Sequence, residues 1–349
     1  MPASPGAPAG RLLRGGVRGL GIAALVAFVV ATASGTFFGA RFLAEVRAPV
    51  LLVGALVAAP ALAVLVLAAR ARGVAWRWLA FGVAWGLFAA AWISLTFEAA
   101  LEPLTVVIGS VAAPLGSEVA LAAPGAVIAP VVEEPAKLIG VLVVLIAARR
   151  AGVRLTAAVG AAVGGVVGLA FGLSEGSHRI ATIVLERGFV DLDGVFRIDW
   201  ELIGIITQLQ LIAKLFAFGF TNHALFTAIA GVGLVTLLGG RWRASLGWFA
   251  VALLAHALLN SVGVAIGERV FPAVNGSASI AVDPAARLWA FVAAWVAAAA
   301  GFLVAEGWAA VLLVRRLRRE GRAPDPATAA ALVTPSPAVT APPPIASAE

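Results

Sequence analysis

Long apolar stretches separated by short polar ones run from one end of the chain to the other. Windows of about 20 apolar residues, the length a helix needs to cross ~30 Å of hydrocarbon, fall near 18–39, 49–69, 76–97, 124–148, 155–177, 217–239, 246–267 and 287–314. The pattern predicts an all-α polytopic membrane protein with about eight transmembrane helices. The stretch 200–216 adds a helical pattern interrupted by Gln208, Gln210 and Lys214. It is too polar to face lipid and is expected to pack inside the bundle or at the interface.

Composition excludes a soluble domain: 62% of residues are hydrophobic, 12% are charged, and the mean hydropathy is +1.02. The chain has no cysteine, which removes disulfides, thiolate metal ligands and a cysteine nucleophile together. Of the 25 basic residues only Lys137 and Lys214 are lysines, and both sit in apolar segments. With the abundance of Ala, Gly and Val this fits a GC-rich bacterial genome, and it makes a lysine at membrane depth a chemical choice.

Loop arginines set the orientation, because cytoplasmic loops are enriched in Lys and Arg. With the N-terminus inside, the cytoplasmic segments carry sixteen arginines, among them Arg14, Arg72, Arg150, Arg243 and Arg319, against seven on the opposite side. The expected layout is a cytoplasmic segment 1–17, a membrane domain 18–320 and a cytoplasmic tail 321–349, with both termini inside a bacterial plasma membrane. From Ala323 onward the tail is rich in Pro, Ala, Ser and Thr and lacks the means to bury a core. Arginines, an apolar run and Ala31-Thr32-Ala33 also match a cleavable secretory signal; the length of the run and the spans that follow favour an uncleaved anchor.

Polar side chains at membrane depth turn inward, and four groups of them stand out. The fourth window holds Glu133, Glu134 and Lys137; the fifth ends in Phe171-Gly-Leu-Ser-Glu175; the sixth carries Asn222-His223; the seventh carries His256 and Asn260. Helical spacing places Glu133 and Lys137 (i, i+4), Glu134 and Lys137 (i, i+3), and His256 and Asn260 (i, i+4) on common faces. Pro124, Pro130 and Pro135 predict a kink or break at the glutamates. His223, Thr227 and Gly231 form one stripe. Gly160, Gly164, Gly168 and Gly172 form another, expected to bring Glu175 close to the fourth helix.

Three carboxylates in one low-dielectric site cannot all be ionised, so an acid and a base are available together. With two histidines and an asparagine beside them they form a toolkit for amide hydrolysis by activated water. These motifs resemble the PrsW family of multi-spanning bacterial proteases, related to the CAAX-type prenyl proteases. The match is E-E-x-x-K at Glu133, Glu134 and Lys137, F-x-x-x-E at Phe171 and Glu175, and histidine motifs at His223 with Thr227 and Gly231 and at His256 with Asn260. It covers roughly residues 125–265, inside a catalytic block of four helices at about 120–267.

The resemblance implies cleavage of a membrane-anchored protein, often a single-span anti-sigma factor, at or near the extracytoplasmic face. Carried over, Glu134 or Glu133 activates water, Glu175 shares its proton or helps bind a metal, His223 and His256 complete the site, and Asn260 stabilises the oxyanion. A divalent metal such as zinc, if used, takes Glu134, Glu175, His223 and His256. The spacing does not match His-Glu-x-x-His, which leaves metal dependence open.

Other readings attach to the same residues. Glu133 with Lys137 is also a structural ion pair, and His256 with Asn260 an interhelical hydrogen bond. Gly172-Leu-Ser-Glu-Gly176 matches a serine-hydrolase elbow, but that motif needs a strand-to-helix turn. Glu306 is expected to pair structurally or to snorkel. The rival class is a proton- or ion-coupled transporter, disfavoured by the absence of an inverted repeat and by the clustering of polar groups in one block. An inactive scaffold is the third. The loop 178–200 is a candidate sensor or gate, and no nucleic-acid partner is expected.

Overall fold

The computed structural model describes residues 40–187, 189–190, 196–197, 221–275 and 284–322. The first window, residues 188, 191–195 and 198–220, and the tail from 323 lie outside the described residues, while the first part of the loop expected at 178–200 is helix as far as Arg187. Apart from a short antiparallel pairing of Phe189–Val190 with Phe196–Arg197, the elements are helices. They are α1 (Ala40–Arg70), α2 (Trp76–Ala100), α3 (Glu102–Ala112), α4 (Ser117–Arg150), α5 (Ala157–Arg187), α6 (Thr221–Leu238), α7 (Trp242–Asn275) and α8 (Pro284–Arg322). Three described segments are long and apolar enough to cross a membrane by length and composition: Trp76–Ala100, Ala157–His178 and Trp242–Ser261.

Helix α3 has no counterpart in the hydropathy windows, because at 11 residues it is too short to span. Proline in its first turn starts it, and Gly116, at φ 119°, turns the chain back into α4. The resulting hairpin leaves Val106, Val111 and Leu115 exposed, a surface suited to lipid rather than water.

The break expected at the glutamates is absent. Helix α4 continues through Pro124, Pro130 and Pro135. Membrane helices tolerate proline where neighbouring groups serve the freed backbone. The irregularity lies across the interface in α2, which widens into a π turn over Trp85–Ala90. There the Trp85 Nε1–H donates to the carbonyl of Ala136 at 2.9 Å. Gly140 makes room for that indole, since a Cβ at Gly140 would overlap the Trp85 ring.

Helix α5 is the centre of the fold, with 89% of its apolar window buried in the protein. Its most extensive contact is with α6. The glycine stripe lies on this contact rather than against α4 as the sequence suggested: a Cβ at Gly160 would strike the carbonyl of Gly231, one at Gly164 that of Thr227, and one at Gly168 that of His223. Two apolar clusters flank the pair. One joins α2, α4 and α5 through Leu79, Trp85, Val144, Val167 and Phe171; the other joins α6, α7 and α8 through Phe226, Ile229, Ala252, Ala255 and Ala309.

Local bonds draw the arginine-bearing ends together. Arg149 Nη1 donates to the carbonyl of Leu238 at 3.4 Å, and the Ala157 N–H at the start of α5 donates to Glu320 Oε2 at 2.8 Å. The second bond caps α5 with a carboxylate from α8, which also suits the helix dipole. Gly73 and Gly152, at φ 90° and 83°, close α1 and α4. In each case the next N–H reaches back five residues, Val74 to Ala69 and Val153 to Ala148.

Gly164→Ala is expected to lower stability by about 1–3 kcal/mol, since the new methyl meets backbone that has no rotamer to move. Gly247→Ala, where nothing lies within 4 Å, is expected to cause no loss. Thermal unfolding of the two variants in one detergent decides it.

Candidate active site

Four helices deliver the charged cluster. From α4, Glu133, Glu134 and Lys137 project inward, at 1%, 2% and 0% exposure. Lys137 Nζ lies 2.6 Å from Glu134 Oε1 and 3.1 Å from Glu133 Oε2, so one ammonium serves both carboxylates. It also sits 4.2 Å from the centre of the Phe171 ring, which faces it from α5. The ion-pair reading of Glu133 and Lys137 is therefore part of the geometry and extends to Glu134.

The histidines enter from α6 and α7. His256 Nδ1 lies 3.0 Å from Glu134 Oε1, and its Nε2 lies 3.7 Å from Glu133 Oε2. His223 is arranged in the same sense: its Nε2 lies 2.6 Å from Glu175 Oε2 and its Nδ1 3.6 Å from Glu133 Oε2. Each imidazole thus has one nitrogen held by an outer carboxylate and the other turned toward Glu133. Phe226 stacks on His256 at 5.0 Å between ring centres, and Phe171 meets His223 edge-on at 5.1 Å. These contacts fix ring planes that hydrogen bonds alone would leave free to rotate.

The glycine stripe explains how His223 reaches this position. Gly168 lets α5 lie against the His223 backbone, and a Cβ at Gly172 would come within 2.9 Å of His223 Cδ2. Thr227, one turn further along α6, donates its Oγ1–H to Glu134 Oε2 at 3.2 Å. Lys137, His256 and Thr227 thereby surround Glu134, while Glu133 stands between the two histidines.

The metal set anticipated from sequence is revised accordingly. Glu133, His223 and His256 each present a ligand atom, all within 4.8 Å of one another. Glu134 and Glu175 stand behind the imidazoles instead. Asn260 is also placed differently from its expected oxyanion role: its Nδ2 donates to the carbonyl of Gly125 at 3.1 Å, tying α7 to α4. Ser174 lies within continuous helix, so no nucleophile elbow forms. Glu306 neither snorkels nor pairs; it is 0% exposed, with neither oxygen hydrogen-bonded among the described residues. Lys214 lies outside the described residues.

Sequence reading passed over Ser94, Glu98 and His178. With Glu133, Phe171 and Glu175 they line a cavity of about 30 Å³. The available signals were slight: His178 falls one helical turn after Glu175, and Glu98 lies just beyond the third apolar window. Glu134 borders an apolar cavity of about 360 Å³, walled by Pro135, Leu138, Leu142, Leu234, Phe249 and Leu253.

Lys137→Met is expected to cost about 3–5 kcal/mol, because it leaves adjacent buried carboxylates without their shared cation. Adding Glu133→Gln to Lys137→Met is expected to recover part of that loss. A double-mutant cycle on unfolding temperature measures it.

Neither the curated proteins nor the solved structures contain a match to the chain. A family model does match over residues 74–295, which include each of the glutamates and histidines above that surround Lys137. The chain belongs to the PrsW family of intramembrane metalloproteases.

Proposed function

We propose that this membrane-embedded protease is an endopeptidase of the bacterial plasma membrane, cutting single-span anchored proteins such as anti-sigma factors at or near the extracytoplasmic face. The observation that carries the reading is the convergence of Glu133, Glu134, Glu175, His223 and His256 around one buried lysine. A purely structural ion pair has no need of two imidazoles each held by a second carboxylate. The loop arginines support eight spans with both termini inside, and the active residues come from α4, α5, α6 and α7 as one four-helix block.

The donor set fits a divalent cation. His256 Nε2 is buried and has no hydrogen-bond partner among the described residues, and two histidines with one glutamate match the ligands of catalytic zinc. Glu133, His223 and His256 would hold the ion, with Glu134 and Glu175 orienting the imidazoles from behind. Bound there, a divalent cation supplies Lewis-acid polarisation of the scissile carbonyl and a more acidic water. Lys137, 3.1 Å from both Glu133 Oε2 and His223 Nδ1, would then rest on Glu134, its nearest partner.

The side chains then divide the work. Glu175 lines the small cavity and accepts the proton as water oxygen bonds to the carbonyl carbon. The same carboxylic acid returns that proton to the amide nitrogen as the C–N bond breaks, giving a carboxylic acid and an amine. Glu134 keeps His256 and Lys137 in place throughout. The apolar cavity beside Glu134 offers hydrocarbon-lined space next to the reacting groups, as a substrate from the membrane requires.

Glu134→Gln is expected to abolish cleavage while the protein still accumulates in the membrane, and Glu306→Gln to leave cleavage unchanged. New protein N-termini in membranes of cells expressing each form at matched levels supply the readout. Fragments ending at the outer edge of single-span proteins, present with wild type and Glu306→Gln only, would bear the reading out; identical N-termini in all three strains would sink it. Chelation of the purified enzyme is expected to stop cleavage, with zinc or cobalt restoring it. Full activity in chelator would assign the chemistry to the carboxylates alone.

A further inference from the structure

Hydrolysis inside a membrane needs water as a substrate, and the site is walled by apolar helices. Water at membrane depth requires a polar recess with two to four hydrogen-bonding partners and at least about 10–15 Å³ for its centre. The cavity between α2 and the helices α4 and α5, about 30 Å³, meets both conditions. Ser94, Glu98 and His178 line it together with Glu133 and Glu175. It is roomy enough for about one or two waters and too small for a peptide.

Ser94 supplies the independent observation. Its residue is 2% exposed, and its Oγ has no hydrogen-bond partner among the described residues. A serine in a helix ordinarily returns its hydroxyl to the carbonyl four residues back. Thr96, two positions along, makes that bond to Trp92 at 2.9 Å. Ser94 lies four residues past the end of the π turn Trp85–Ala90 and instead lines the cavity. A buried hydroxyl left without a partner is costly, and a water in the cavity satisfies it.

The cavity also has a direction. Along α2, Ser94 and Glu98 lie toward Ala100, away from the Arg77 end, and along α5 His178 lies beyond Glu175, away from the Arg154 end. The recess therefore extends from Glu133 toward the side opposite the arginine-bearing loops.

We propose that this cavity is the water vestibule of the protease: it admits water from the arginine-poor side and delivers it to Glu133 and Glu175, with Ser94, Glu98 and His178 as the groups that hold it. This rests on the hydrolytic reading above for its purpose, but its test involves no cleavage. None of the three holding groups belongs to the cluster around Lys137, and each approaches the site from the water side.

The absence of cysteine in the chain allows a direct test on the full-length protein. Ser94→Cys is close to isosteric and becomes the sole thiol. Silver ion, small and excluded from hydrocarbon, serves as the probe; after quenching and unfolding in detergent, thiols that escaped it are counted by a maleimide gel shift. Val144→Cys, at a 0% exposed position in the apolar core, is the dry reference.

The vestibule predicts that silver, added from the extracytoplasmic side of intact spheroplasts, reacts with Ser94→Cys roughly a hundredfold faster than with Val144→Cys, since hydrocarbon excludes cations. Adding Glu98→Leu is expected to bring the Ser94→Cys rate down toward the reference. Equal slow rates at both positions, or fast reaction from the cytoplasmic side alone, would overturn the vestibule; an unchanged rate with Glu98→Leu would remove Glu98 from it. Hydroxyl-radical footprinting of the unsubstituted protein, with Phe171 and His178 expected to oxidise ahead of Val144, gives the same answer without a variant. Silver access without any cleavage would leave the vestibule standing and discard the protease reading.

Discussion

Two adjacent carboxylates within an apolar helix impose the condition that the surrounding structure satisfies. A single charge at the centre of a bilayer costs about 2.5–3.5 kcal/mol on insertion scales, and Glu133 and Glu134 bring two. Lys137 answers most of that demand by lying 3.1 Å from one and 2.6 Å from the other, with the face of Phe171 beside its ammonium. The lysine is buried by the same contacts that neutralise the glutamates. Neither sign of charge is tolerable in that position without the other.

From this cluster the roles of the flanking helices follow. The carboxylates have more acceptor capacity than one ammonium can fill, and His256 and Thr227 occupy part of the remainder on Glu134. The order imposed on the imidazoles is unusual for structural histidines. Each is gripped by a glutamate on one side and by an aromatic ring on its face or edge, which leaves the second nitrogen aimed inward. A group that must meet a reacting atom needs such orientation, whereas packing alone does not.

Much of this was legible in the residues themselves. Hydropathy places helices where they occur for most of the described chain, and the E-E-x-x-K spacing predicts that Lys137 shares a face with both glutamates. What the spacing cannot supply is the partner of each face. The stripe from Gly160 to Gly172 was expected to bring Glu175 toward α4, yet it lies on α6, because the groove it offers fits a backbone that also presents a bare surface at Gly231. Asn260 has the chemistry of an oxyanion donor, but its direction depends on how far α7 is rotated, and it meets the Gly125 carbonyl. The prolines of α4 predict disruption from local sterics alone, yet α4 stays helical, and the irregular turn falls instead in α2.

The contact between α5 and α6 has one further consequence. Small residues recurring every fourth position make a surface that repeats at each helical turn, about 5.4 Å along the axis. Such a surface permits close approach but carries little information about register, because a slide of one turn brings glycine opposite backbone again. What distinguishes one alignment from the next is the polar bond between His223 and Glu175. The reacting groups are thus also the vernier of the bundle. A change of partner at these groups bears at the same time on chemistry and on how the two central helices are aligned.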